Sequence, residues 1–370
     1  MDARHGDNGD ERDLVLALAN AYVVTPAGTE WDDVLERIPH DVFHTSKYHC
    51  LSGFGQQGDA QAFVYQEGDL SFLWPYLLTP IAAAPGYHDV TSVYGYPGPV
   101  GSSDAAFTAR AWQALTEHWS NQKVVSAFTR FHPLLANFQM LEGIPAAAAG
   151  IREYGDTISI DLTLPPEQHT AAYNKNLRYD LRKAREAGLV TTEDTSWAHT
   201  DDFVSVYQDT MSRCGSRKEY IVDAIWVDHF RAALGNHARL FVTRREQSVA
   251  AAMIVIRYGG YLHSHLIGTA PEFAAFSPSK LLLDDVRLWG IQNGCHTMHL
   301  GGGLGGREDS LFQFKRKFSP RRHSFRTGNW IMNAPVYRDL EEQNRATLAA
   351  RGINLEDVSY FPSYRFNPAT

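Results

Sequence analysis

The chain has 370 residues, of which 44% are hydrophobic and 12% aromatic, and its formal net charge is −8 at neutral pH. This length predicts two domains, and the composition is that of a globular protein. The negative charge excludes a surface that coats nucleic acid generally, because phosphate neutralisation requires clustered lysine and arginine. No apolar run approaches the roughly 20 residues that span a bilayer, so no membrane span is expected.

The amino-terminal residues 1–12 are polar and acidic, unlike a secretory signal. We therefore expect a disordered lead segment and a cytoplasmic protein. The three cysteines, Cys50, Cys214 and Cys295, are far apart and lack zinc-ligand spacing, which predicts buried thiols. No histidine pair has a recognised ligand spacing either, so no metal is expected.

The first half of the chain begins with a β-hairpin pattern. Residues 62–66 alternate between apolar and polar side chains, and residues 70–80 resume an extended apolar pattern after a short turn. Apolar residues at helical intervals over 104–119 then predict a helix that covers a sheet, and residues 123–131 predict a further strand.

The second half repeats this order. Residues 240–244 and 249–258 predict a hairpin, and residues 260–268 predict a third strand. A helix over 279–293 and a strand over 297–303 follow. The repeat predicts an α/β fold with mixed sheets in two tandem domains of one design. Two unrelated α/β domains with similar spacing are the alternative.

Residues 168–188 predict an amphipathic helix that begins after Pro165 and Pro166 and that Gly188 can end. One stripe of this helix is apolar, with Tyr173 and Leu177 among its members. The nearly opposite stripe consists of four cations: Lys175, Arg178, Arg182 and Arg185. Such a stripe suits a phosphate-bearing ligand, because arginine binds phosphate oxygens bidentately; a solvated surface face is the alternative.

Residues 300–318, LGGGLGGREDSLFQFKRKF, follow the last predicted strand directly. Their glycines contain the spacing of a dinucleotide-binding loop, but no series of βαβ units surrounds them, which disfavours that interpretation. The glycines instead allow close approach of a ligand, and Asp309 or Ser310 can cap a helix that carries Phe314 and Lys315. Cations beside phenylalanines suit nucleic-acid ends, whereas Phe318 is expected in the core.

No nucleophile motif of a covalent acyl-enzyme is present, which favours direct transfer between two bound substrates. The segments resemble the FemABX peptidyl transferases, which consist of two tandem GNAT-like domains and use aminoacyl-tRNA. The resemblance rests on residues 41–49, 92–101 and 128–137 in the first domain and on 173–189, 204–211, 281–294 and 299–318 in the second.

The resemblance implies a degenerate GNAT-like domain over residues 13–155, with the tail 331–370 packing back on it, and a catalytic GNAT-like domain over 156–330. It also implies that Lys315 stabilises the oxyanion formed when an amine attacks the aminoacyl ester, with Phe314 near the tRNA end and Arg178 and Arg182 on phosphates. Further residues expected to bind substrate or tRNA are Lys175, Tyr207, Tyr220, Gly301, Gly302, Gly303, Tyr94, Tyr96, Arg130 and Arg316.

The expected partners are aminoacyl-tRNA, as a co-substrate in place of a cofactor, and a small amine, a peptide or a cell-wall precursor. Cell-wall members of the family carry an aspartate shortly after a Gly-Pro pair, whereas here Asp104 follows Gly98-Pro99 two positions late. A small amine or peptide acceptor is therefore at least as well supported.

Two other functions fit parts of the sequence. The first is acyl-CoA-dependent N-acyl transfer on the same fold, although residues 272–285 lack the glycines of a typical pyrophosphate-binding turn. The second is a non-catalytic binding protein with degenerate GNAT domains.

Overall fold

The computed structural model describes residues 20–53, 58–214, 222–355 and 360–367. The predicted lead segment 1–12 and Tyr220 lie outside these ranges. Within them, no helix has the length and apolar character needed to cross a membrane.

A single mixed sheet of thirteen strands runs through the described residues. The strands are β1 (Asn20–Val24), β2 (Asp59–Glu67), β3 (Leu70–Pro80), β4 (His88–Thr91), β5 (Val100–Gly101), β6 (Val124–Arg130), β7 (Ile151–Asp161), β8 (Leu189–Glu193), β9 (Ala238–Arg245), β10 (Ser248–Tyr258), β11 (Tyr261–Thr269), β12 (Thr297–Gly302) and β13 (Arg322–Ile331). Their spatial order is β1-β2-β3-β4-β6-β13-β7-β12-β11-β10-β9-β8, with β5 beside β3.

The helices lie between these strands and after the last one. They are α1 (Glu30–Leu35), α2 (Ser46–His49), α3 (Ala105–Asn121), α4 (Gln139–Glu142), α5 (Pro145–Ala148), α6 (Pro166–Ala172), α7 (Lys175–Glu186), α8 (Thr200–Arg213), α9 (Ala224–Leu234), α10 (Pro278–Gln292), α11 (Ser310–Arg316) and α12 (Ala334–Ala349).

The predicted repeat of elements is confirmed, with residues 20–150 as the first half and 151–321 as the second. In the first half, the β2–β3 hairpin leads through β4 and α3 to β6, which pairs parallel with β4. In the second, the β9–β10 hairpin leads through β11 and α10 to β12, which pairs parallel with β11. Each crossover helix therefore returns the chain to the sheet in the same way.

The strand β13 joins the two halves. It pairs antiparallel with β6 on one side and with β7 on the other. The sheet is therefore continuous across the halves, and β7 contains the predicted domain boundary at residues 155–156.

The predicted helix over 168–188 is wrong in one respect, because it consists of two helices. Tyr173 has ψ 135° and ends α6, and the Asn174 side chain then caps α7 by accepting from the Leu177 N–H. The buried Tyr173 hydroxyl donates to Asp284 Oδ1 at 2.9 Å. This hydrogen bond to α10 holds Tyr173 in the break, which periodicity alone does not predict.

A hydrophobic cluster, called the shared core below, contains residues of both halves. Val42, Phe43 and Tyr48 from the first half pack in the same cluster as Leu240 and Ile254 from the second. Because burial of such side chains contributes about 1.5–3 kcal/mol each, this cluster stabilises the contact between the halves.

The carboxy-terminal segment packs against the first half. The Tyr364 hydroxyl and the Arg365 guanidinium both donate to the Asp89 carboxylate, and Tyr337 of α12 packs against Val125 of β6. The prediction of buried cysteines holds for Cys295 only, because Cys50 and Cys214 are exposed.

Candidate active site

The candidate site lies where β12 ends and α11 begins. Asp309 connects the two elements, because its Oδ1 caps α11 at the Phe312 N–H and its Oδ2 accepts from the Leu304 N–H, each at 3.0 Å. The pairing of β12 with β7 is irregular between His299 and Gly301, and Gly301 has φ 75°. The strand thus opens at a residue whose conformation favours glycine.

Lys315 lies over this opening. Its ammonium donates to the Gly302 carbonyl at 2.6 Å, and burial lowers the lysine pKa to about 8, although Asp309 acts in the opposite direction. Within the described ranges Lys315 makes no ion pair. A Cβ at Gly301 would lie 3.2 Å from Nζ and 3.6 Å from the Tyr96 hydroxyl. Glycine at this position therefore leaves room beside the lysine charge.

Tyr96 of the first half lies at the same opening, since its hydroxyl would be 3.6 Å from a Cβ at Gly301. Its ring makes edge contacts with His299 and Phe325, each with ring centroids 5.2 Å apart. Burial raises the tyrosine pKa, whereas the Arg130 charge lowers it. The structure therefore brings together four of the predicted residues from both halves: Tyr96, Gly301, Gly302 and Lys315.

A buried carboxylate that sequence reasoning missed lies behind Tyr96. Asp41 is fully buried, and its Oδ2 accepts from His132 Nε2 at 2.8 Å and from His263 Nε2 at 2.7 Å. Its Oδ1 accepts from the Val42 N–H at 2.6 Å. Burial would raise the Asp41 pKa, but the nearby His263 and the hydrogen bonds from both histidines hold it well below its usual range.

The same three side chains could in principle ligate a metal, because their ligand atoms lie within 4.8 Å of one another. The donor set does not fit one, however. His132 Nδ1 accepts from the Leu135 N–H at 3.1 Å, so the imidazole proton belongs on Nε2, the atom that would have to bind the metal. The three side chains form a hydrogen-bonded group that links the first half to the second, and the buried His263 Nδ1 has no hydrogen-bond partner among the described residues.

Buried imidazoles continue from this cluster toward Lys315. The His299 ring centroid is 5.6 Å from that of His263. Burial and the charges of His263, His132 and Lys315 lower the His299 pKa well below its usual range. The base of the site is thus lined by neutral imidazole beneath the lysine.

The cations of α7 form a basic face on a helix whose buried side packs in the same cluster as Phe312 of α11. The half-buried Phe314 contacts Phe318, which is buried against Tyr173 as the sequence predicts for a core residue. Lys175 and Arg178 are exposed and make no ion pair in the described parts of the chain.

Two arginines of α7 do have acidic partners. Arg182 is exposed, with a weak contact of 3.7 Å to Glu186. Arg185 instead pairs with Asp284 and Asp285, so it is not available to a ligand.

The remaining predicted residues are more scattered. Arg316 is exposed on α11, Gly303 lies against the Arg307 carbonyl, and Tyr94 is 44% exposed at the rim beside His265. Tyr207 is buried in the shared core and stacks on Phe203, so the structure does not bring it to the site.

Known proteins share this architecture. A family model described as an acetyltransferase (GNAT) domain matches residues 171–316. The solved structure of FemX is similar with a TM-score of 0.65 and 12% identity, over 86% of this chain and 99% of FemX. Among curated proteins, no sequence is significantly similar.

Two further structures are similar. One is the C-terminal domain of a putative lysylphosphatidylglycerol synthetase from Agrobacterium fabrum, with a TM-score of 0.50 and 17% identity over 81% of this chain and 90% of that one. The other is a conserved protein of unknown function from Bacteroides thetaiotaomicron, with a TM-score of 0.52 and 12% identity over 76% and 88%.

The chain therefore has a FemABX-like GNAT fold, as its sequence predicts. Together with the matched domain, this fold supports an acyltransferase. The matched segment ends one residue after Lys315.

Proposed function

We propose that the protein transfers an aminoacyl group from aminoacyl-tRNA to the amine of a small molecule or peptide. In this reaction the amine nitrogen attacks the ester carbonyl carbon, a C–N bond forms, and the C–O bond to the terminal ribose breaks. The departing ribose oxygen takes up the proton that the amine loses. Because the ester is already activated, the enzyme must chiefly orient the substrates and stabilise the oxyanion.

The observation that carries this proposal is the environment of Lys315. Lys315 has no acidic partner in the described chain and is held over the strand opening by one backbone carbonyl. Its charge is therefore available to a developing negative charge. Its surroundings exclude water in part, which strengthens such an interaction.

The basic face of α7 supports a polyanionic donor. Lys175, Arg178 and Arg182 project from α7, whose buried Leu177 and Leu181 pack in the same cluster as Phe318. Phe318 lies one turn from Phe314 and Lys315 and contacts the Phe314 ring. Cations in a row along one exposed helix face suit the phosphates of a tRNA acceptor end.

A second candidate is acyl-CoA-dependent N-acyl transfer. The match of residues 171–316 to an acetyltransferase (GNAT) domain favours it. Lys315 would stabilise the same kind of oxyanion, so the two candidates differ in the donor rather than in the chemistry at the carbonyl.

The test is transfer by the purified protein from a pool of radiolabelled aminoacyl-tRNAs to candidate amines, beside parallel reactions with acyl-CoA donors. We expect amide product from charged tRNA, its loss after ribonuclease treatment, and strong reduction in Lys315→Ala. Lys123→Asn, which changes an exposed lysine beside Tyr87, is the matched control. Product from acyl-CoA that ribonuclease does not affect would instead establish the second candidate.

A further inference from the structure

Arg130 is a cation of the first half without an acidic partner in the described residues. It ends β6, is half-buried, and its Nη1 donates to the Ser92 hydroxyl at 3.2 Å. The guanidinium lies 5.0 Å from the centroid of the Phe128 ring, which covers one of its faces. A half-buried guanidinium that has only neutral partners retains unused donors on its edge.

Tyrosine side chains of the first half converge beside Arg130. Burial raises the Tyr48 pKa, and ionised Tyr94 or Tyr96 would raise it further, whereas the Arg130 charge lowers it. Arg130 acts on Tyr96 in the same direction. The Arg130 charge therefore acts on Tyr48 and Tyr96, whose rings both contact Phe43.

Arg130 is connected to the proposed reaction centre through β13, because it pairs with Thr327, two residues after Phe325, and the Phe325 ring contacts Tyr96. The Tyr96 hydroxyl and Lys315 Nζ would lie 3.6 Å and 3.2 Å from a Cβ at Gly301. The site thus has one cation in each half. Burial lowers the Lys315 pKa to about 8.

We infer that Arg130 binds a carboxylate or phosphate group of the acceptor, so that the acceptor is a small amine that also carries an anionic group. This inference rests on the proposed function and names the substrate class of its second substrate. A guanidinium binds either anion through paired hydrogen bonds, and partial burial strengthens them.

The position of Arg130 assigns it to the acceptor rather than to the donor. The cations expected to hold tRNA, Lys175, Arg178 and Arg182, all lie on α7 of the second half. Arg130 ends β6 of the first half, where its carbonyl oxygen would lie 3.3 Å from a Cβ at Gly98, two residues after Tyr96. An amine held by its anionic group at Arg130 would extend past Tyr96 toward the carbonyl carbon beside Lys315.

The test measures binding of three small amines by ligand-observed NMR: diglycine, glycylglycinamide and O-phosphoethanolamine. We expect the wild-type protein to bind the carboxylate and the phosphate about ten- to a hundred-fold more tightly than the amide. Arg130→Gln should remove this preference, and Arg130→Lys should retain part of it. Arg110→Gln, at an exposed ion pair with Glu67, is the matched control and should behave as the wild type.

Equal binding of all three probes by the wild-type protein would overturn the inference, as would an undiminished preference in a folded Arg130→Gln variant. The inference would also be overturned if the Arg130→Gln variant differed from the wild type only in its Michaelis constant for charged tRNA, since Arg130 would then bind the donor. Because the binding measurement needs no turnover, a wild-type protein that transfers from charged tRNA but shows no anion preference refutes only this inference. An anion preference without transfer from any tRNA refutes the proposed function and leaves the anion site established.

Discussion

The charge state of Lys315 gives the sharpest prediction. With a pKa of about 8, this lysine is protonated in about nine-tenths of molecules at pH 7 and in about one-tenth at pH 9. If the ammonium stabilises the oxyanion, its contribution to the rate should fall about ten-fold over this interval. A lysine that acts as a general base would become more effective over the same interval, so the two roles predict opposite slopes.

The size of the effect follows from removing the cation. Loss of one donor to an oxyanion costs about 2.7–4 kcal/mol of transition-state stabilisation, or about a hundred- to a thousand-fold in rate. We therefore expect this ratio between the wild type and Lys315→Ala at pH 7, and a ratio about ten-fold smaller at pH 9. Lys315→Arg stays charged at both values, so its rate relative to Lys315→Ala should not change with pH.

The assay is single-turnover transfer at saturating acceptor, with spontaneous ester hydrolysis subtracted at each pH. Dividing by the Lys315→Ala rate cancels the ionisation of the acceptor amine, which is common to all variants. Thermal unfolding at each pH confirms that the variants are folded. A ratio that rises from pH 7 to pH 9, or that stays constant, would refute the assignment of the charged lysine to the oxyanion.

Three further predictions concern the basic face and the buried polar groups. The double variant Arg178→Ala with Arg182→Ala should weaken the binding of fluorescent tRNA, and most strongly at low salt. The slope of log affinity against log salt concentration should become shallower by about 0.7–0.9 for each lost phosphate contact, and an unchanged slope counts against such contacts. Asp41→Asn should lower the free energy of unfolding in urea by about 3 kcal/mol, because two buried histidines lose their ionised acceptor. The control Asp33→Asn changes an exposed residue and should leave the free energy of unfolding nearly unchanged. Burial lowers the His44 pKa to about 3, so the unfolded chain binds an extra proton at this residue as the pH falls below about 6.5, which should cost about 1.4 kcal/mol of stability per pH unit. His44→Gln should reduce the slope of stability against pH by this amount between pH 4 and 6, and an identical slope would contradict the prediction.

Local patterns in the sequence were sufficient to predict the hairpins, the two crossover helices and the helix that carries Lys315. Those elements follow from alternation, helical periodicity and a capping aspartate, all of which act over a few residues. The break at Tyr173 could not be predicted in this way. The apolar stripe continues through it, and the hydrogen bond that fixes it reaches Asp284 on another helix.

The Asp41 cluster shows the same limit at the site. His132 and His263 lie 91 and 222 residues from Asp41, and no short spacing connects them. The one local feature of this cluster is that Asp41 caps the short helical turn Val42–His44. The family resemblance, by contrast, indicated Lys315, Gly301 and Tyr96 before their proximity was visible. The resemblance could not show that Tyr207 lies away from the site, because the burial of Tyr207 depends on how α8 packs.

The central position of β13 has a consequence for synthesis on the ribosome. Its residues 322–331 emerge after nearly all of the chain, yet they pair with both β6 and β7. Until then each of these strands presents an open edge, a feature that favours pairing with other chains. The nascent protein must therefore keep two unfinished sheets apart until its last strand arrives, and truncations that end before Arg322 should aggregate rather than yield an isolated catalytic unit.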